Sequence, residues 1–440
     1  MNQTGGIAIQ TDFRGNDDHA YSLCNVVNDQ LGMFMEHGYN PKLLVTKGYK
    51  PGRNAIKATI CELPDQIRQN EVVVDNSFNE DVDKLLESFR EHLKDVELVI
   101  THDTIYQPAS LKHNVALRAY AEERKDLHFL HWIHSATSPY KIADLVGIFP
   151  EKYKEVVGKK FPRSYYVFFN NWSIPRIARE YNIPESLVKI VHHPTDYFKF
   201  AKYEPYSIEL CKKHNLISKD FVMAYPARLD NGKQLEYGIK MMGALKNLGF
   251  SVHFIGIDFH SSSDDPRDPK LQYRNQLKQI AKEWGVESDV TFTSEFKPES
   301  KVRVPEGVVR DLMDISNVFW MSSVSESYSL VTQEAAMSGN LLVLNRNFPP
   351  FRELFGPDAI MWPCDSNVDI ANISDGGTKV SYNGLEREDY ASLAKEVVAS
   401  STNKQNLTRR RLLAQRNPDY IFTHELEPLI KGIKSDKNII

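Results

Sequence analysis

Two carboxylates and two cations stand out in this chain by type and spacing. Glu326 and Glu334 lie eight positions apart in SSVSESYSLVTQEAAMSGNLLVLN, and upstream Arg228 and Lys233 lie five apart in FVMAYPARLDNGKQLEYGIKMMGAL. An arginine offers a planar fork of donors and a lysine a compact point charge, a pairing suited to a diphosphate leaving group. Carboxylates accept hydrogen bonds from hydroxyls, so one glutamate could hold a transferred sugar and the other the ribose of a nucleotide. Histidines form a third group. His102 with Asp103 ends one apolar run, and His131 and His134 flank Trp132 in the next.

The flanking runs indicate what must position these groups. VFWM at 318–321 is continuously apolar, as a buried parallel strand is, and residues 330–337 follow with helical spacing. Glu326 therefore falls near the carboxyl end of a strand, and Glu334 about two turns further along the helix. Residues 221–225 form a second such strand, with Arg228 and Lys233 in the loop before the next helix. In open α/β sheets nucleotides bind in the crevice beyond the strand ends, and a helix starting there aims its first N–H groups at phosphate. The backbone amides of Ser327, Tyr328, Ser329 and Leu330 are thus candidate diphosphate ligands. The plainer alternative is a solvated helix with scattered acids, and surface cations beside a helix start.

A chain of 440 residues exceeds the usual span of one core, so two or three domains are expected. Its 41% hydrophobic and 25% charged residues are ordinary for a globular protein. No apolar run approaches a membrane span, and MNQTGGIAIQTDF lacks the basic and apolar segments of a signal peptide, so a cytoplasmic protein without a transmembrane segment is expected. Cys24, Cys61, Cys211 and Cys364 are widely separated, without metal-ligand pairing, and read as reduced, buried residues. The net charge of -4 gives no global attraction to nucleic acid or an anionic bilayer.

Along the chain, residues 6–45 read as strand, loop, helix and strand, the start of a parallel βαβ unit. ELVITHD at 97–103, HFLHWIHS at 128–135 and SYYVFFNN at 164–171 read as further parallel strands ending in polar groups. The expected division is an amino-terminal Rossmann-like domain over 1–200, a second over 201–405 and a helical segment over 406–440. The loop at 258–269 is polar and turn-rich.

The A-R-L-x-x-x-K of 227–233 and the E-S-x-S-L-x-x-x-E-A-A-x-S-G-x-L-x-V of 326–343 together resemble the retaining GT-B glycosyltransferases of group 1, which include glycogen synthase-like and mannosyltransferase-like enzymes. VKIVHHPTDYFKF, SVHFIGID, DVTFTSEF and VVRDLMDISNVFWMSS follow the family's order, and the resemblance covers residues 165–365 well. It implies an α/β GT-B fold, two Rossmann-like domains with parallel sheets facing across a cleft, with the last helix crossing back onto the first domain.

The resemblance also implies transfer of a sugar from a nucleoside diphosphate donor with retention. In that scheme Arg228 and Lys233 stabilise the departing diphosphate, Glu326 holds sugar hydroxyls and Glu334 the ribose. Gly15, in FRGNDD where the family has a glycine-rich loop, approaches the donor phosphates, and Asp17 and Asp18 beside it point toward the acceptor. His134 matches the family's strand-end histidine near the transferred sugar, with His102 and Asp103 as competitors. His192 and His193 replace an Asn-Gly turn and read as structural. No metal or other cofactor is required, and Asp81 and Asp83 lie in a helix-like stretch instead of at a strand end.

The acceptor is a hydroxyl of a glycan, lipid or small molecule. A viral-type DNA glycosyltransferase acting on hydroxymethylated bases is an alternative, because EKYKEVVGKKFPRSYY at 151–166 interleaves basic and aromatic residues as nucleic-acid contacts do. KQNLTRRRLLAQR at 404–416 is also basic but reads as an amphipathic helix packed on a domain. A GT-B-fold nucleotide-sugar epimerase or phosphorylase is the third reading.

Overall fold

The computed structural model of the chain describes residues 6–11, 22–51, 57–64, 77–105, 107–134, 159–229, 231–259, 267–297, 300, 303–323, 329–346, 349–364, 385–436 and 439. The chain divides into two compact units, residues 1–195 with 416–440, and residues 196–415.

In the first unit seven strands form one parallel sheet: β1 (Gly6–Gln10), β2 (Lys42–Val45), β3 (Thr59–Glu62), β4 (Val96–His102), β5 (His128–Trp132), β6 (Ser164–Phe168) and β7 (Val188–Ile190). Their order is β3-β2-β1-β4-β5-β6-β7. Helices Ser22–Glu36, Phe78–His92 and Leu111–Glu123 lie between strands, as parallel crossovers require. Asp81 and Asp83 are in the second of these helices, where Asp81 pairs with Lys112 at 2.6 Å. The interior strands are buried along nearly all of their length, as strands of a parallel sheet are.

The carboxyl-terminal segment after Arg416 belongs to this unit. The carboxylate of Glu425 receives the backbone N–H of His192 at 2.7 Å, the amide of Arg163 donates to the carbonyl of Ile439, and Tyr165 bonds Asp436. Phe422 packs against Phe34 and Tyr39 and stacks on His37.

The second unit holds β8 (Phe221–Arg228), β9 (Val252–Phe259) and β10 (Val290–Phe292) in the order β10-β9-β8, and β11 (Val318–Met321), β12 (Leu341–Asn345) and β13 (Ile360–Trp362) in the order β11-β12-β13. All these pairings are parallel. Asn317 stitches the two halves together. Its backbone N–H donates to the carbonyl of Val222 at 3.0 Å, its side-chain oxygen accepts from the amide of Val222 at 2.9 Å, and its side-chain amide donates to the carbonyl of Asp220 at 2.8 Å. With β8 beside β11, the six strands follow the Rossmann order, reversing direction of progress between β8 and β11. The first unit reverses in the same way between β1 and β4.

Helix Leu235–Asn247 packs against β9, where Gly256 leaves room for the Phe292 ring: an added Cβ would come within 2.6 Å of it. Among the described residues no helix is long and apolar enough to cross a membrane. The four cysteines are buried and unbridged.

Replacing Asn317 by Ala leaves the buried amide of Val222 without its side-chain acceptor and the carbonyl of Asp220 without its donor. Urea unfolding should show a loss of about 1–3 kcal/mol. A change within about 0.5 kcal/mol would show that the two half-sheets hold together without this bridge.

Candidate functional site

Each unit gathers polar groups at the carboxyl ends of the strands that flank its order reversal. In the second unit β8 ends at Arg228, which is exposed, and a 3-10 turn Asn231–Lys233 leads to helix Leu235–Asn247. This loop is anchored from below. The hydroxyl of Tyr225 donates to the carbonyl of Lys233 at 2.9 Å, and that of Ser322 to the carbonyl of Gln234 at 2.7 Å. Ser322 directly follows β11, so the loops after β8 and β11 share one root. The amide of Leu235 donates to Tyr273 at 3.0 Å, and the Tyr273 hydroxyl bonds the Glu236 carboxylate, which fixes the helix start.

After β11 the chain reaches helix Leu330–Met337, with Glu334 on an exposed face it shares with Leu330, 65% exposed, and Met337, 79% exposed. Ser329 enters that helix at φ 55, its hydroxyl 2.7 Å from that of Thr332. Glu326, Ser327 and Tyr328 lie outside the described residues, as do Gly15, Asn16, Asp17 and Asp18. The structure thus brings the loop of Lys233 and the strand preceding Glu326 together, and places Ser329, Leu330 and Glu334 on the helix that follows.

Three strand-end loops at the reversals share an uncommon backbone. Asp103 after β4 has φ 58, Gln234 after β8 has φ 49 and Ser329 after β11 has φ 55, a region that non-glycine residues enter at a cost of order 1–3 kcal/mol. Strain of this kind gathers where a loop is held for binding. The side-chain amide of Gln234 is buried with neither its oxygen nor its nitrogen hydrogen-bonded.

In the first unit the strand ends carry histidines. His102 ends β4, fully buried, its Nδ1 2.9 Å from Nε2 of His134 and its Nε2 2.9 Å from Oε1 of Gln30. The backbone amide of His134 donates to the Asp103 carboxylate at 3.0 Å. His193, beyond β7, lies parallel to His134 with ring centres 5.5 Å apart and packs on Phe169. His134 and His102 therefore belong to one cluster, and His193 joins it. His192 is a clamp to the carboxyl-terminal segment, its Nδ1 2.9 Å from Oε1 of Glu425. His131 is a core residue: it is fully buried, bonds Thr101 at 2.8 Å and meets Phe161 edge-on.

Burial sets the charge state of the cluster. Loss of water pushes His134 down to about 3, aided by nearby His193, and holds His102 and His193 below the usual imidazole range. All three are neutral at pH 7. Gln10 and Thr11 at the end of β1, Gln30, and Thr46 after β2 are buried, and each keeps one polar side-chain atom without a hydrogen bond. Gln30 and these strand-end groups are missed by reading the sequence for charged motifs. A signal for Gln30 exists, since it lies three positions after Val27 and four before Phe34 on the apolar face of helix Ser22–Glu36.

Among the described residues no group of three or more His, Cys, Asp or Glu could hold a metal ion. The described part of the basic stretch, from Lys159 onward, is largely core. Phe161, Tyr165 and Tyr166 are buried, and the Arg163 guanidinium donates to the carbonyls of Leu127 and Ala121. In the basic helix Lys404–Arg416, Arg409 pairs with Asp314 and Arg410 with Asp220, while Leu407 and Leu412 are half exposed.

The profile of the family described as "Glycosyl transferases group 1" matches residues 207–397. That segment is similar to group 1 glycosyltransferases. The match covers β8 to β13 and both loops that carry Arg228, Lys233, Glu326 and Glu334. Both units are Rossmann-like, with parallel strands throughout.

Solved structures similar to this chain include a glycosyltransferase from Rickettsia africae, 12% identical, covering 98% of this chain and 99% of that one with a TM-score of 0.35. HepE from Anabaena in complex with UDP and glucose is 13% identical over 98% and 100%, TM-score 0.33. Sucrose-phosphate synthase from Thermosynechococcus elongatus is 13% identical over 98% and 99%, TM-score 0.34. No curated protein matches the chain.

The depressed His134 gives a pH prediction. The unfolded histidine takes up a proton near pH 6.5 and the folded one only near pH 3, so between them the unfolded state binds more protons and stability falls as the pH is lowered. His134→Gln should lose about 1–2 kcal/mol less than the parent between pH 7 and pH 5 in urea unfolding. Equal losses in the two proteins would place the protonation cost elsewhere.

Proposed function

We propose that this protein is a retaining glycosyltransferase that moves a sugar from a nucleoside diphosphate donor to a hydroxyl acceptor. The observation that carries the reading is the shared root of the two loops after β8 and β11, within the segment that matches the group 1 profile. One loop holds a cation pair and the other leads through Glu326 into the helix of Glu334.

In this reading the acceptor oxygen forms its bond to the anomeric carbon on the face from which the diphosphate departs. The bond from that carbon to the diphosphate breaks, and the acceptor proton leaves with the diphosphate. Arg228 and Lys233 stabilise the charge growing on the leaving group, an interaction strongest in the transition state. Amides of Ser327 to Leu330 add donors toward the phosphates, Gly15 lets backbone approach them, Glu326 holds sugar hydroxyls and Glu334 the ribose. His134 offers a neutral imidazole to a substrate hydroxyl. Two cations and backbone donors supply the neutralisation that a divalent metal supplies elsewhere, so no cofactor is part of the proposal.

The acceptor belongs to the glycan, lipid or small-molecule classes. Nucleic acid is disfavoured because the aromatic residues of 159–166 are core and Arg409 and Arg410 are engaged in ion pairs.

The test is a screen of nucleoside diphosphate sugars with hydroxyl acceptors, following release of the nucleoside diphosphate. Lys233→Ala and Glu326→Ala should each lower kcat/KM by about 10²- to 10³-fold with the fold intact by circular dichroism. Wild-type turnover by both variants would defeat the assignment. Conversion of donor without any hydroxyl acceptor would instead mark an epimerase or a phosphorylase.

A further inference from the structure

The histidine cluster of the first unit contains a hydrogen-bond chain whose direction is fixed by its last member. Oxygen Oε1 of Gln30, 2.9 Å from Nε2 of His102, can only accept, so Nε2 of His102 carries the hydrogen. A neutral imidazole with a hydrogen on Nε2 has a lone pair on Nδ1. That lone pair faces Nε2 of His134 at 2.9 Å, which must therefore donate. The remaining ring nitrogen of His134, Nδ1, is then unprotonated, and it makes no hydrogen bond among the described residues.

The surroundings keep this arrangement from relaxing. His102 is fully buried, and its ring lies against Trp132 on one strand and His134 just beyond it. Gln30 is 1% exposed. His134 is restrained through its own backbone, whose N–H is held by Asp103 in a left-handed loop, and its ring lies parallel to that of His193. Neither His102 nor His134 has a carboxylate on a ring nitrogen among the described residues, and burial keeps both rings uncharged at neutral pH. A histidine that can present either tautomer can donate to or accept from a ligand. One locked as here can only accept.

We infer that Gln30 and His102 are positioning residues that hold His134 in the Nε2–H tautomer, so that its Nδ1 is a fixed hydrogen-bond acceptor for a substrate hydroxyl. The hydroxyl part of this inference rests on the sugar-transfer reading, while the tautomer part stands on the geometry alone. Gln30 acts three hydrogen bonds away from the substrate, and its replacement should be felt through the state of His134. An acceptor-only group such as a carboxylate would find no donor at this position.

The tautomer is read directly in protein labelled with 15N-histidine, from two-bond 1H–15N correlations at pH 7. His134 is assigned by the signals missing in His134→Gln. Wild-type His102 and His134 should both show the hydrogen on Nε2. Gln30→Leu, which removes the acceptor at the end of the chain, should mix the tautomers of both rings. Gln30→Glu, whose ionised carboxylate also only accepts, should keep the wild-type pattern. In sugar transfer, Gln30→Leu should lower kcat by about tenfold or more while the KM for the donor stays unchanged, since tautomer control acts on the reacting geometry. Gln30→Glu should recover most of that loss.

A wild-type His134 with the hydrogen on Nδ1, or a Gln30→Leu spectrum identical to wild type, overturns the inference. So does an altered tautomer with an unaltered kcat. If the wild-type protein transfers no sugar from any donor, the transferase reading fails on its own, and the spectra still decide whether Gln30 directs the tautomer of His134.

Discussion

The reversal of strand order in each sheet is the constraint on which the rest of the structure depends. A parallel strand must be followed by a crossover, and right-handed crossovers leave on opposite faces when the next strand is laid to the left or to the right. Where the order turns, between β1 and β4 and between β8 and β11, two crossovers diverge and leave a crevice at the strand ends. Elsewhere on these sheets polar side chains would be buried without partners. At the reversals they are collected: His102 ends β4 and Asp103 follows it, Arg228 ends β8 with Lys233 in the next loop, and Ser322 and Ser323 follow β11.

Holding these ends open has a local cost that the surroundings absorb. Asp103, Gln234 and Ser329 adopt left-handed backbone, and each is fixed by a neighbour, as when Ser322 donates to the carbonyl of Gln234. Around them the packing is dense. Trp320 and Tyr225 are fully buried beneath the loops, and Tyr225 stacks on Phe319 while its hydroxyl reaches Lys233. The core therefore extends to the root of the loops and stops there, which gives a rigid base to residues whose work requires an exact position.

The fold class was legible because strands buried on both faces are written as unbroken apolar runs. VFWM, FVMAY and SVHFIGI mark β11, β8 and β9 to within three residues, and the helical spacing of 330–337 coincides with helix Leu330–Met337. The histidine chain was not legible, because its members come from a helix, two strands and a loop far apart in sequence, and no local period joins Gln30 to His102 and His134. Composition also misled where it could not report burial. Phe161, Tyr165, Tyr166 and Arg163 read as a contact surface, yet their rings pack inside and the guanidinium caps backbone carbonyls. The cations at 228 and 233 were visible by contrast, because a charged residue directly after a buried strand has only the strand end to occupy.

The central claim is that the loops after β8 and β11 together hold a nucleoside diphosphate. Amide hydrogen exchange with and without added nucleoside diphosphates measures this most directly, since it reports on each loop separately without requiring an acceptor or turnover. The account predicts protection in peptides spanning residues 227–236 and 322–334 together, with the carboxyl-terminal segment after 416 unchanged. Protection confined to other peptides, or protection of one loop without the other, would contradict it.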